Sequence, residues 1–154
     1  MAKLELENFE SFRELEGKAL PVGDWLTVTQ DMINDFAKAT MDFQWIHIDV
    51  EKAEKYSPFK KPVAHGFLSL ALLSKLLKDV LWVKSAKMGI NYGLDKVRFP
   101  SPVLVDNRLR LNCTVQKIEN YRDNGLKISW NCVVEIDGSD KPACVAEFIS
   151  LMFE

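Results

Sequence analysis

Residues Pro62–Val80 read P-V-A-H-G-F-L-S-L-A-L-L-S-K-L-L-K-D-V. From Gly66 onward, Phe67, Leu68, Leu70, Ala71, Leu72, Leu73, Leu76, Leu77 and Val80 cover nearly every angle of a helix, while Lys75, Lys78 and Asp79 give it a polar end. A helix apolar almost all round has to be wrapped by something large. It is too short, and too charged at its far end, to cross a bilayer. Pro58 and Pro62 hold the approach extended, and Gly66 has no side chain to shield the first free N–H groups. Those donors and the helix dipole favour negative charge here, which suits an oxygen that gains charge during a reaction.

The wrapping is legible downstream, where the period changes from helical to two. Ser85–Leu94 is strand-like, and Arg98–Phe99 leads through a Pro-Ser-Pro corner to Leu109, Leu111, Cys113 and Val115, which alternate with polar partners. Leu126, Ile128, Trp130, Cys132, Val134 and Ile136 alternate without a break, and Ala143–Phe153 is apolar on both faces. These are long antiparallel strands, separated by the turn signals Asp123-Asn124-Gly125 and Asp137-Gly138. One buried helix followed by such a run predicts an α+β fold, a curved antiparallel sheet wrapped round a long central helix. The last strand needs more cover than one helix provides.

Upstream, Leu6–Leu15 reads as a short helix, and Gly17–Pro21 with Asp24–Val28 as a strand pair or one bent strand. Thr29 is placed to cap a helix over Asp31–Ala39 with Ile33, Phe36 and Ala37 facing inward, stopping near Met41. Met41–Asp49, M-D-F-Q-W-I-H-I-D, shows neither period, so Asp42 and His47 are expected on a loop; Val50–Tyr56 then forms a short helix capped by Asp49. The chain has only two histidines, His47 and His65, and both lie between Phe36 and Val80. A carboxylate and an imidazole can hold one water between them and shuttle its proton when burial and contact tune their pKa values. By itself His65 reads as structural, capping or filling the helix start. Gly66 could equally serve close packing, and Ser74 could bond back to a helix carbonyl. Two histidines and one carboxylate in an unspaced loop give no zinc signature, so no metal site is assigned.

At 154 residues, with 47% hydrophobic and 27% charged residues, residues 1–154 fit one compact domain. No signal-peptide pattern and no membrane-spanning run occurs, and Met1–Glu16 is charged and amphipathic, so a cytoplasmic protein with no membrane contact is expected. Cys113, Cys132 and Cys144 are odd in number and widely spaced in apolar strands, which favours reduced, buried thiols. A formal net charge of -2 without an arginine-rich, aromatic-interleaved stretch gives no signal for nucleic acid. Lys75, Lys78, Lys84, Lys87, Lys96 and Arg98 make the middle of the chain locally basic, a pattern that reads as a solvated face before it reads as a carrier contact.

The segments D-F-Q-W-I-H-I-D, P-V-A-H-G-F-L-S-L-A-L-L and N-Y-G-L-D-K-V-R-F-P-S-P-V, in that order, resemble the MaoC-like dehydratases, the (R)-specific enoyl-CoA hydratase group, and especially its nodulation-protein-N-like branch. The resemblance implies a hotdog fold and reversible hydration of a trans-2-enoyl thioester to an (R)-3-hydroxyacyl thioester. It also implies that Asp42 and His47 bind the reacting water and that the N–H of Gly66 binds the thioester oxygen. Ser74 would support the catalytic loop through a hydrogen bond, Asn91 would help form the pocket, and His65 would stay outside the chemistry. No metal or redox cofactor is implied; coenzyme A or the phosphopantetheine of an acyl-carrier protein enters as part of the substrate. A homodimer with its acyl tunnel near the interface is implied as well, with Trp45, Trp82 and Phe67 as residues that could narrow the tunnel. Many (R)-specific hydratases have Gly before the aspartate where this chain has Met41, a change expected to restrict the backbone and add bulk beside the catalytic loop. The alternatives are a hotdog acyl-thioesterase and a non-catalytic acyl-thioester-binding subunit.

Overall fold

The structure, a computed structural model, describes residues 3–154. A five-stranded antiparallel sheet is built from β2 (Leu26–Thr27), β4 (Met88–Arg98), β5 (Arg108–Tyr121), β6 (Gly125–Ile136) and β7 (Cys144–Phe153), in the order β2-β5-β6-β7-β4. A parallel pair of β1 (Leu4–Leu6) and β3 (Leu81–Val83) stands apart from it. The helices are α1 (Phe9–Arg13), α2 (Gln30–Thr40), α3 (Trp45–Ile48), α4 (Val50–Tyr56), α5 (Gly66–Ala71) and α6 (Leu73–Val80). This is the α+β arrangement expected, a curled sheet around a central helix.

The alternation sets the sheet's inner face. Leu109, Leu111, Cys113 and Val115 of β5 and Leu126, Ile128, Trp130, Cys132 and Val134 of β6 are buried almost completely, and Leu111 pairs with Val134 and Cys113 with Cys132. The Cys113 and Cys132 sulfurs lie 3.5 Å apart as free thiols. Trp130 packs on Phe12, ring centroids 5.9 Å apart, and its indole N–H donates to Ser150 Oγ at 2.8 Å. At the β5–β6 hairpin Arg122 has φ 54°. A Cβ on Gly125 would stand 2.7 Å from both the Tyr121 carbonyl oxygen and the Phe153 ring, so only glycine fits there.

The central helix runs as two segments. Leu72 keeps right-handed dihedrals, and the bonds Leu72 N–H to Leu68 O and Leu76 N–H to Leu72 O carry the helix through. Leu73, Leu76 and Val80 press into the sheet with almost no exposure, each contributing about 1.5–3 kcal/mol of burial. The expected all-round cover is not supplied by this chain. Phe67 is 69% exposed, and the side bearing Phe67, Leu70, Ala71 and Ser74 faces β4 across an open groove.

Other departures are local. Leu6–Leu15 splits into the end of β1 and α1, because β1 pairs with β3, a strand the periodicity does not announce. Gly17–Val28 forms the bridge Ala19–Thr114 and the two-residue β2, and otherwise runs beside β5 through single bonds such as Leu20 N–H to Cys113 O and Gly23 N–H to Leu111 O. The strand expected from Ser85 starts at Met88. In β4 the register against β7 shifts between Asn91 and Gly93 and again between Leu94 and Lys96, two bulges of the kind that bend a strand. β4 ends the sheet order, so one of its edges has no strand partner among the described residues.

Candidate active site

Three short elements meet at the start of the central helix. α2 is capped by Thr29, whose hydroxyl accepts from Met32 N–H at 3.2 Å, and it ends at Met41. Met41 takes φ 61° and ψ 26°, the left-handed conformation that closes many helices. Its side chain is 78% exposed, so its bulk projects into solvent. Asp42 follows on the loop, as expected, its carboxylate 53% exposed and Oδ1 accepting from Gln44 N–H at 3.3 Å. His47 differs from expectation: it lies in the single turn α3, closed by Asp49 N–H to Trp45 O at 3.0 Å. One turn is too short to show a period in sequence. Asp49 then caps α4 by accepting from Lys52 N–H at 2.9 Å.

His47 is buried, and its Nδ1 lies 2.5 Å from the carbonyl oxygen of Val63. A carbonyl only accepts, so Nδ1 carries the proton and Nε2 keeps a free lone pair. Burial is the main cause that pushes the His47 pKa below 6.5; the Val63 carbonyl opposes it, His65 adds to the lowering and Asp42 counters it. The ring is therefore a neutral base at pH 7. Gln30 holds the turn from behind, its amide donating to His47 O at 2.8 Å and to Asn34 Oδ1 at 2.9 Å. Sequence reading missed both Gln30 and Val63, since a backbone carbonyl leaves no residue signature and an amide at a helix start has many uses.

His65 is 4% exposed and stacks on His47, ring centroids 3.8 Å apart at 22°. Its side chain makes no capping bond to α5, which corrects the capping part of the expectation. Instead Nε2 lies 3.1 Å from the backbone carbonyl of Asp42 and 3.9 Å from its Oδ2. Leu68 is the first residue of α5 whose N–H turns back, to His65 O at 3.0 Å. Among the described residues the N–H groups of Gly66 and Phe67 have no partner at the helix start. A Cβ on Gly66 would come 3.2 Å from the Phe99 ring, so this glycine serves close packing as well as exposing a donor.

Ligand atoms of Asp42, His47 and His65 lie within 4.8 Å of one another, a separation that one water can bridge with ordinary hydrogen bonds. These residues are also the set that could be considered for a metal. Nδ1 of His47 and Nε2 of His65 each face a backbone carbonyl, which leaves the other ring nitrogen of each histidine as the one that can accept.

Ser74 and Asn91 come together elsewhere. Both line a cavity of about 320 Å³ that starts at Phe67 and a second of about 540 Å³ that continues past Leu77 to Trp82 and Lys87. Among the described residues Ser74 makes neither the expected hydrogen bond to the catalytic loop nor one back to its own helix. Phe67 and Trp82 line these cavities, whereas Trp45 lies under the Lys52 ammonium, 4.9 Å from it, and lines neither.

The chain matches a MaoC-like domain over residues 12–134. It is 44% identical over 147 residues to a protein of Mycobacterium tuberculosis named 3-hydroxyacyl-thioester dehydratase Z, covering 94% of this chain and 97% of that one. It is 41% identical over 138 residues to nodulation protein N of Rhizobium meliloti, covering 89% and 86% of the two chains. Among solved structures, the unliganded R-hydratase PhaJ1 of Pseudomonas aeruginosa superposes with a TM-score of 0.68 at 23% identity, over 90% of this chain and 81% of that one, a likeness of fold. By domain match and by identity over nearly its whole length, the chain belongs to the MaoC-like domain family.

Proposed function

We propose that this chain reversibly adds water to a trans-2-enoyl thioester to give an (R)-3-hydroxyacyl thioester. The observation that carries the reading is the neutral His47, its Nε2 lone pair free, beside the Asp42 carboxylate and next to the unpaired N–H of Gly66. The reading agrees with the name of the Mycobacterium tuberculosis relative, a 3-hydroxyacyl-thioester dehydratase. A water held between Asp42 and His47 gives its oxygen to C3 and its proton to His47 Nε2. As the C2–C3 π electrons move toward the thioester, its oxygen gains charge and the Gly66 N–H meets it, worth about 3–4 kcal/mol for one such donor. The imidazolium, held by Asp42 and the Val63 carbonyl, then delivers the proton to C2, and His47 is neutral again. No step calls for a metal or redox cofactor. The acyl carrier is coenzyme A or an acyl-carrier protein.

The assembly we propose is a homodimer joined through β4. Met88, Ile90, Tyr92 and Leu94 are between 41% and 55% exposed on this unpaired edge strand, a long apolar edge that an isolated chain does not normally leave open. A partner there would also roof the groove beside Phe67 and Ser74. The setting is cytoplasmic, supported by three free buried cysteines; among the described residues no helix is long and apolar enough to cross a membrane.

The test is hydration of a short and a medium 2-enoyl-CoA, followed by loss of enoyl absorbance and chiral analysis of the product. Wild type should form the (R)-alcohol, and folded Asp42→Asn and His47→Ala should each lose about 100- to 10,000-fold in turnover. Release of free thiol in place of hydration would indicate a thioesterase. Binding without turnover on every carrier would indicate an accessory subunit.

A further inference from the structure

His65 occupies the N-cap position of α5, where Ser, Thr, Asp or Asn normally accepts from the first helical N–H groups. It does none of this, and its ring turns the other way. The imidazole contacts two aromatic rings, Phe36 at 4.9 Å with a tilt of 56° and His47 at 3.8 Å in a stack at 22°. Its Nε2 points at the Asp42 carbonyl; that oxygen can only accept, so Nε2 carries a proton. Nδ1 is buried without a partner among the described residues. Leaving such a buried polar atom unsatisfied is unfavourable. Phe would fill the same slot without that cost but would forfeit the bond to the Asp42 carbonyl, so that bond is what a histidine adds here over a plain ring.

We propose that His65 is a positioning residue, a single ring that sets the plane of His47 by stacking and holds Asp42 in place through the backbone carbonyl of that residue. The proposal rests on the hydratase reading above and extends it. His65 is bonded to Gly66, so the ring that orients the acid–base pair is fixed to the donor meant for the thioester oxygen. All three parts of the machinery share one reference point. A displacement of about 1 Å among such groups costs roughly 100-fold in rate. The two stacked rings donate through different nitrogens, Nδ1–H in His47 and Nε2–H in His65. Of the titratable groups, His65 and Asp42 face His47, while α2 presents Gln30 and Phe36, which do not ionise.

Two substitutions separate the functions. His65→Phe keeps a ring in the stack and removes both the donor and the orphaned nitrogen; His65→Gln keeps a donor and removes the stack. The expected result for His65→Phe is a melting temperature near that of wild type, with kcat lowered about 10- to 100-fold and KM changed far less. His65→Gln is expected to lower kcat and to move the acidic limb of the pH–rate profile, because the ring facing His47 is gone. Retention of wild-type kcat by folded His65→Phe would overturn the proposal, as would a fall in activity that only follows lost stability. Nitrogen-15 spectra of the histidine side chains decide the geometry without turnover. Wild type should show Nδ1–H for His47 and Nε2–H for His65, and an Nε2 without its proton at His65 would sink the proposal even in an active enzyme. If wild type hydrates no enoyl thioester, the hydratase reading falls by itself. The positioning role then stands or falls on whether His65→Phe shifts the amide resonances of Asp42 and His47.

Discussion

The Nδ1–H of His47 is directed at the carbonyl oxygen of Val63, 2.5 Å away, and this bond decides which nitrogen can act as a base. Burial holds the pKa of the ring below 6.5, so the acidic limb of kcat/KM for hydration is expected below pH 6.5. Folding stability has the matching sign. Above pH 6.5 the ring is neutral in both states; as the pH falls, the unfolded chain binds the proton first and stability declines until the lower native pKa is passed. Denaturant titrations and pH–rate profiles between pH 4 and 8 check both, and a limb above pH 6.5 would remove His47 as the neutral base.

Gly66→Pro isolates one donor. Proline suits the first position of a helix and lacks the N–H in question. His65, with φ −58° and ψ 135°, already has the backbone that a following proline prefers, and the Phe99 ring must yield only a few tenths of an ångström. The expected outcome is a folded protein with kcat reduced about 100- to 1,000-fold. Turnover within threefold of wild type would show that the thioester oxygen is bound elsewhere.

Met41→Gly should stabilise the protein by about 1 kcal/mol, since a left-handed backbone is costly for a residue with a Cβ and free for glycine. The side chain is exposed, so no packing is lost. Thermal unfolding monitored by circular dichroism reads the change, and a lower melting temperature would show that Met41 is held by contacts absent from the single chain.

Ile90→Lys tests the β4 edge. A charge in the middle of an apolar edge strand opposes pairing with a second copy, so the variant is expected to sediment as a monomer where wild type sediments as a dimer. Identical sedimentation would remove β4 from the assembly.

The strands β5 and β6 were readable because each keeps a period of two long enough to count, and β7 and the central helix because each is a long apolar run with turn signals beside it. Leu126 to Ile136 alternates for eleven residues, and burial follows it position by position. Short elements were not readable: α3 is one turn, and β1 is defined by its pairing with β3 rather than by its own residues. Asp42, His47 and Gly66 could be named from motif and resemblance, and the fold gathers the first two around the start of the helix that carries the third. The contacts that set their chemistry could not be named. The Val63 carbonyl has no side-chain signature, Gln30 reaches the His47 carbonyl across 17 positions, and the stack of His65 on His47 joins residues that only the completed loop brings together. Cover of the central helix was overestimated, because apolarity marks a face as suited to burial without fixing how much of it the sheet reaches, and Phe67 stays 69% exposed.

The three thiols set inside the sheet also make the protein its own reporter of opening. The hydrogen bond with Cys132, together with burial, pushes the Cys113 thiol far above its usual range, and burial pushes Cys144 up to about 11. Since thiolate is the reactive form, a folded molecule should resist alkylation at neutral pH. The rate at which an added thiol reagent labels Cys113, Cys132 and Cys144 then measures how often the sheet comes apart, without a dye or an engineered probe, and in the same tube as the enzymatic assay.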